Sequence, residues 1–466
     1  MVKITIMGAG STIFTKSVVG DCLLTPSLAG STIALYDIDK QRLEDSRLMV
    51  ESLNQNINAD AVVETYHGAA ERKKALEGAD FVVNSIQVGG YEPSTVIDFE
   101  IPKKYGLRQT IADTLGIGGI FRALRTIPVV KDFGRDMAAV SSPNVLFLNY
   151  VNPMAMITGA FQRSFDIQAI GLCHSVQRCA RHLAGMHGMS EEGIRWKIAG
   201  INHMAWLLEI ERDGKDLYPA IKQSYREARE LILEKGGARA VIDTAKAEPE
   251  GELARSKLPG IAHDMLRNEI MLRFGYYVTE SSEHNAEYAP YWIRKDSPEL
   301  IDRFAIPLDE YPRRCVNQIK GWKRRRESLV ENPTLEHKMT HEYASDILNA
   351  VVEDSAIRVH GNVLNTGHLI DNLPEQTCVE VPCLVDANGI NPCRVGRLPE
   401  VCAALNRTNI NVQHLTIQAA ETGSRDAVYQ AAMLDPHTAA ELSIDKIVEM
   451  CDELIAAHGE MLPKLS

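Results

Sequence analysis

Gly171-Leu172-Cys173-His174-Ser175-Val176 and Gly200-Ile201-Asn202-His203-Met204 each set a metal-ligand side chain among small or hydrogen-bonding residues that let backbone approach closely. A thiolate and an imidazole from two distant turns can share one divalent ion and leave positions open for a substrate. Such a pair suits zinc or iron as well as harder ions, so ligand type alone selects no metal. A second concentration of chemistry is Tyr276-Tyr277-Val278-Thr279-Glu280-Ser281-Ser282-Glu283-His284, in which phenols, carboxylates and an imidazole stand among hydroxyls; Glu269 precedes it on a helix. Taken alone, Glu283 and His284 read as a solvated turn. Asn152 precedes Pro153, which forces it out of helical geometry at a strand-to-helix switch and leaves its amide free for a hydroxyl.

These residues need a frame, and the chain alternates in a way that supplies one. Val2 to Met7 is apolar and breaks at Gly8-Ala9-Gly10-Ser11; a helical stretch follows from about Phe14 to Leu24, then a strand over Ser31 to Asp37. Strand, glycine turn, helix, strand is the opening of a doubly wound sheet, and the turn brings N–H groups at the helix start toward a pyrophosphate. Asp37 ends the second strand, where an acid binds both ribose hydroxyls and repels a 2′-phosphate, so NAD is the expected dinucleotide. Ile13 occupies the place of the fingerprint's third glycine. Further strands are expected at Ala61–Tyr66, Phe81–Ile86, Val145–Val151 and Ala169–Leu172, the last delivering Cys173 and His174 to the sheet edge where such folds bind ligands. The glycine-rich turn Asp113 to Gly119 leads into a helix with Arg122 and Arg125, either a solvated face or a guanidinium source for cofactor or sugar. After Ile201 the texture changes: a strand over Met204–Glu211, helices, and strands near Ser355–Asn362 and Cys378–Val385. The expected fold class is therefore α/β, with an N-terminal Rossmann-like domain over residues 1–200 and a mixed α+β domain over 201–466 for substrate, metal and oligomerisation.

The 466-residue chain is 45% hydrophobic and 24% charged, the mix of a globular enzyme. Its net charge of −12 disfavours nucleic acid and anionic membranes as partners. Nine cysteines without regular spacing suit free thiols in a reducing compartment, and Met1-Val2-Lys3-Ile4 runs directly into strand pattern without a signal peptide, so a cytoplasmic location is expected.

Taken together, Gly8-Ala9-Gly10-Ser11, Asn149-Tyr150-Val151-Asn152-Pro153-Met154, Cys173-His174-Ser175, Gly200-Ile201-Asn202-His203 and Tyr277 to His284 resemble glycoside hydrolase family 4. Gln109 to Gly116, Ile370-Asp371-Asn372-Leu373-Pro374, Val385 to Gly389 and Asp435-Pro436-His437-Thr438 extend the likeness over nearly the whole chain, which is most similar to the melibiase-type α-galactosidases of that family. The resemblance implies a glycosidase outside the usual two-carboxylate scheme. NAD⁺ takes hydride from the third carbon of the sugar, the proton on the second carbon is removed, the glycosidic oxygen is eliminated, water adds, and the hydride returns. It implies Cys173 and His203 as ligands of Mn²⁺ or another divalent metal. Gly8, Gly10, Ser11 and Asp37 are implied for NAD, and Asn152, Asn202 and Arg122 for substrate. His174 is implied as proton donor to the leaving group, with a pKa lowered beside the cation, and the base falls among Glu269, Tyr276 and Tyr277, with Tyr276 and Glu269 carried as catalytic candidates. The expected substrates are α-galactosides such as melibiose and raffinose, with α-glucosides or α-galacturonides as alternatives, and the expected assembly is a homodimer or homotetramer. Two other readings stay open: a plain NAD-dependent dehydrogenase, which would accumulate NADH without needing a metal, and an NAD-sensing protein, which would tolerate loss of Cys173 and His203.

Overall fold

Thirteen strands form one sheet in the computed structural model, which describes residues 2–466. In chain order they are β1 (Lys3–Met7), β2 (Thr32–Asp37), β3 (Val62–His67), β4 (Phe81–Asn84), β5 (Leu146–Asn149), β6 (Ala169–Gly171), β7 (Arg195–Ile201), β8 (Met204–Arg212), β9 (Lys215–Asp216), β10 (Tyr277–Val278), β11 (Ile357–Leu364), β12 (Cys378–Asp386) and β13 (Gly389–Pro392). The order β3-β2-β1-β4-β5-β6 is parallel throughout and is the doubly wound dinucleotide-binding arrangement. Its inner strands read as continuous apolar runs because helices cover both faces; β4 and β5 are buried at every position. The strand order reverses between β1 and β4, and the chain exits of these strands face the crevice where ligands bind in such sheets.

Beyond β6 the sheet continues antiparallel through β11, β12, β7, β8 and β10. Position 200, where a domain boundary is expected from sequence, lies inside β7, and the sheet runs unbroken across both portions. The seam is narrow: β6 meets β11 only at Gly171 and Asn362, and β12 meets β7 only at Glu380 and Gly200. Asn362 and Glu380 are both fully buried there. The Asn362 amide donates to Gly171 O at 3.2 Å and to Glu380 Oε1 at 3.1 Å, and burial pushes the Glu380 carboxyl up to about 7. A polar seam therefore sits directly behind the residues that follow β6 and β7.

The long helix Gly116–Val140 joins the sheet to a separate apolar cluster shared with the C-terminal helices Glu400–Thr422, Arg425–Leu434 and Ile444–His458. Buried Asp98 ties this corner together, accepting both guanidinium nitrogens of Arg125 at 3.1 and 2.6 Å and lying 2.9 Å from His458 Nε2. A last element crosses the outside of the N-terminal portion. After helix Glu310–Leu329 the chain runs over residues 330–342 against helices Thr12–Leu24 and Lys40–Ile57. Ser52 and Asn56 donate to its carbonyls, and buried Asp21 accepts from His337 at 2.7 Å and from the Thr340 amide at 2.8 Å.

Candidate functional site

A cavity of about 480 Å³ opens at the crevice between β1 and β4. Its wall is built from residues just past strand ends: Ser11 after β1; Ser85, Ile86 and Gln87 after β4; Tyr150 and Asn152 after β5; Cys173 and His174 after β6; His203 after β7; and Glu280 after β10. Of the sequence candidates, Ser11, Arg122, Asn152, Cys173, His174 and His203 meet in this one space.

The glycine turn is shaped for close approach. Gly8 sits at φ +87°, and a Cβ there would lie 2.8 Å from the Ile86 amide nitrogen. A Cβ on Gly10 would lie 2.7 Å from the Asp37 carboxylate, which instead accepts the Gly10 N–H at that distance. Ser11 begins the helix Thr12–Leu24 without a side-chain cap, so its hydroxyl remains available to the cavity. Ile13, in place of a third glycine, is 47% exposed and crowds no backbone.

Cys173, His203 and Glu280 each offer a ligand atom within 4.8 Å of the others, and so do Asp113, His203 and His284. Cys173 Sγ lies 4.0 Å from Glu280 Oε2 and 3.2 Å from Ser175 Oγ, while His203 Nε2 lies 3.6 Å from Glu280 Oε2. Both histidines are nearly buried, with ring centres 5.1 Å apart. Burial opposes charge on His203, but Cys173, Glu280 and Asp113 outweigh it and hold its pKa up at about 10. For Asp113, burial favours the neutral acid, yet His284, Arg122 and His203 hold it well below the usual carboxylate range. Glu280 is likewise kept ionised against its burial by His203, His284 and Arg267. This pocket concentrates negative charge and soft and hard donors around one point, which is what a divalent cation requires. Glu280 reaches it from a left-handed backbone, φ 66°, a conformation rare for a non-glycine residue.

Around this core, the Asn152 amide donates to Asp113 Oδ2 at 3.1 Å, and Arg122 Nε donates to the Asn152 carbonyl at 3.2 Å. The Arg122 guanidinium also covers the Tyr311 ring at 5.7 Å. His174 stands at the rim with 54% of its side chain exposed, its Nε2 2.8 Å from Glu342 Oε2. That carboxylate raises the imidazole's pKa, with burial opposing. Glu342 arrives from the segment crossing the outer helices, 168 residues away.

Five candidates lie elsewhere. Glu269 is held by Tyr225 at 2.8 Å, Arg229 at 2.9 Å and Arg273 at 2.8 Å. Tyr276 packs edge-on against Tyr218, outside the cavity wall. Asn202 has no exposure and lies beside buried Glu380, outside the cavity wall. Tyr277 is buried with its hydroxyl on Asp264, and Arg125 is occupied by Asp98. Conversely, Asp113, Glu280 and His284 belong to the cluster without having been singled out from the sequence. Their signal was present in the acid-base run 276–284 and the glycine-rich turn 113–119, but the direction each side chain takes is set by tertiary packing. Glu283 shows this: one residue from His284, it leaves the site to pair with Arg314.

Comparison with known proteins agrees with this geometry. The model of family 4 glycosyl hydrolases matches residues 3–189, and that of the family 4 C-terminal domain matches residues 198–438. An α-galactosidase of Bacillus subtilis (strain 168) is 55% identical over 464 residues, covering all of both chains, and one of Rhizobium meliloti (strain 1021) is 33% identical, covering 99% of this chain and 89% of its own. A 6-phospho-α-glucosidase from gut microorganisms, solved with NAD and Mn²⁺, shares the fold at TM-score 0.77 and 20% identity, covering all of both chains. With family models matched over residues 3–189 and 198–438, the chain belongs to glycosyl hydrolase family 4.

Proposed function

We propose that this protein is an NAD- and divalent-metal-dependent α-galactosidase acting on neutral α-galactosides such as melibiose and raffinose. The observation that carries the reading is the convergence of Cys173, His203 and Glu280 in the same cavity as the glycine turn of β1. The full-length likeness to the Bacillus subtilis α-galactosidase supports the choice of sugar. When bound, the nicotinamide supplies a reversible hydride acceptor and the metal ion, Mn²⁺ or a similar cation, a Lewis acid beside the sugar oxygens.

The chain's own residues divide the remaining work. Gly8 and Gly10 let the turn after β1 pack tightly against Ile86 and Asp37, which shapes it for a pyrophosphate, and Asp37 is the acid for the ribose hydroxyls. Cys173 and His203, with Glu280 adjacent, hold the metal. Asn152 keeps its amide oxygen toward a sugar hydroxyl while its nitrogen is fixed on Asp113. Glu280 is the carboxylate nearest the ligand pair and takes the place expected for Tyr276 or Glu269 as acceptor of the proton on the second carbon. His174, fixed through Nε2 by Glu342, presents its other ring nitrogen toward the leaving oxygen.

Charge balance in the cavity favours a neutral sugar. Among the described residues, Arg122 is the one lysine or arginine in its wall, and it is already engaged by Asn152 and Tyr311. A sugar phosphate or uronate would face Asp113 and Glu280 with Arg122 already engaged, a like-charge contact of about 4 kcal/mol for unit charges 4 Å apart at an effective dielectric constant of about 20. Release of nitrophenol from p-nitrophenyl α-galactoside in the presence of NAD⁺, Mn²⁺ and a thiol reductant tests the reading. It is expected to exceed release from the α-glucoside and α-galacturonide. No release from any of the three overturns it.

A further inference from the structure

A second cavity, about 540 Å³, lies on the other side of the segment Ser281–Glu283, whose neighbours Glu280 and His284 face the site above. Its walls come from helices Ala238–Ala247, Leu258–His263 and Met265–Phe274 and from the stretch between Phe304 and Arg314. Within a chain of net charge −12, this wall carries five lysine and arginine side chains against three carboxylates.

The pairing of these charges is uneven. Arg267 lies 2.6 Å from Asp264, and Arg313 and Arg314 are paired with Glu310 and Glu283. Lys246 has no carboxylate within 4.0 Å among the described residues. Arg239 has only Asp302, 3.6 Å away and 76% exposed, and turns a guanidinium nitrogen to the Ile306 carbonyl at 3.1 Å. Seven residues apart on one helix, Arg239 and Lys246 share a face. Across from them stands His263, whose pKa is lowered by burial first and then by these same two cations.

We infer that this second cavity binds a small molecule carrying a phosphate monoester, its dianion held between Lys246, Arg239 and His263. Five cations against three carboxylates leave the wall an excess of two positive charges, which matches a divalent oxyanion, whereas a single carboxylate leaves one of them unbalanced. The volume is that of a small-molecule pocket. The strongly negative chain repels extended polyanions such as nucleic acid or an anionic membrane. This site is separate from the α-galactosidase reading and stands or falls without it.

Calorimetric titration of the NAD- and Mn²⁺-loaded protein with galactose 6-phosphate, at constant ionic strength, tests the inference. Sulfate serves as the bare dianion, and saturating galactose, which is not consumed, occupies the sugar site of the first cavity. Saturable binding is expected for galactose 6-phosphate in the presence of that galactose, weakened at least tenfold in the Arg239→Gln/Lys246→Gln variant, both positions being solvent-accessible. Absence of saturable binding, equal binding to the double variant, or complete displacement by galactose would overturn it. Saturable binding of sulfate that the same variant abolishes supports it further.

Discussion

At the scale of single residues, the site is a problem of directing side chains. Cys173 and His203 each follow a short strand, and only tertiary packing brings the thiol and the imidazole into one cavity wall. Cys173→Ser keeps the shape but replaces a thiolate with a poor ligand. We expect more than about a 100-fold loss of Mn²⁺ affinity and of nitrophenyl galactoside turnover, with NAD binding followed by fluorescence essentially unchanged, since Gly8, Gly10 and Asp37 lie on other loops. Unaltered turnover would remove Cys173 from the metal site. Glu269 and Tyr276 misled for a physical reason. Both are acid-base groups at the right distance in sequence, but a helix turns 100° per residue, and Glu269 emerges on the face that meets Arg229 and Arg273.

A different single residue governs pH behaviour. His360 is buried against Trp196, with a ring-centre separation of 4.9 Å, and its Nε2 has no partner. Burial, then Arg358, lowers its pKa to about 4 from an ordinary 6.5. Its folded pKa is below its unfolded one, so its contribution is complete above pH 6.5 and is lost as pH falls through about 4, where the unfolded chain binds the extra proton. Glu380, held up at about 7, acts oppositely, losing its contribution as pH rises through that value. The two are separated by comparing variants. In His360→Phe the unfolding temperature should fall less steeply than in the parent between pH 6.5 and 4.5, by an amount equivalent to about 1–3 kcal/mol. Parallel curves would show that His360 titrates normally.

At the scale of elements, the crossing segment 330–342 is the least anticipated part of the structure. It has no periodic pattern, and its sequence reads as loop. Its order comes from contacts with residues some 320 positions earlier, including Asp21 beneath His337 and Thr340. Asp21→Ala strands those buried donors at a cost of about 3–5 kcal/mol, localised to this segment. Amide hydrogen exchange across residues 332–343 should accelerate, and turnover should fall because Glu342 is no longer held against His174. Unchanged exchange there would mean that the stacking of the His337 ring on Gly20, where a Cβ would lie 2.6 Å from it, holds the segment by itself. By contrast, β1 to β6 match the expected runs to within a few residues; β4 and β5, covered on both faces, are buried throughout and end at asparagine, whereas edge strand β3 is half exposed. β7 escaped notice: its sequence RWKIAGI has one buried half and one partly exposed half, and only pairing with β8 and β12 makes it a strand. The helix that carries Glu269 begins only at Met265, parted from Leu258–His263 at Asp264, whose carboxylate receives Arg267, Ser282 and Tyr277.

At the scale of the molecule, sequence texture changes near residue 200 while the sheet does not. Periodicity reports the local environment of each strand and carries no information about which distant strand becomes its neighbour, so one continuous sheet was not visible from the alternation alone. That continuity bears on synthesis. The parallel half ends at β6, whose outer edge is covered only by β11, so during translation its hydrogen-bonding groups wait uncovered until residues 357–364 emerge. At about 5–20 residues per second this wait is roughly 10–40 s, long enough for an exposed edge to pair with another nascent chain. A fragment ending near residue 190 should therefore sediment as aggregate when expressed alone and remain dispersed when the remainder is supplied in the same cell. A monodisperse, cooperatively unfolding fragment would show that the edge protects itself.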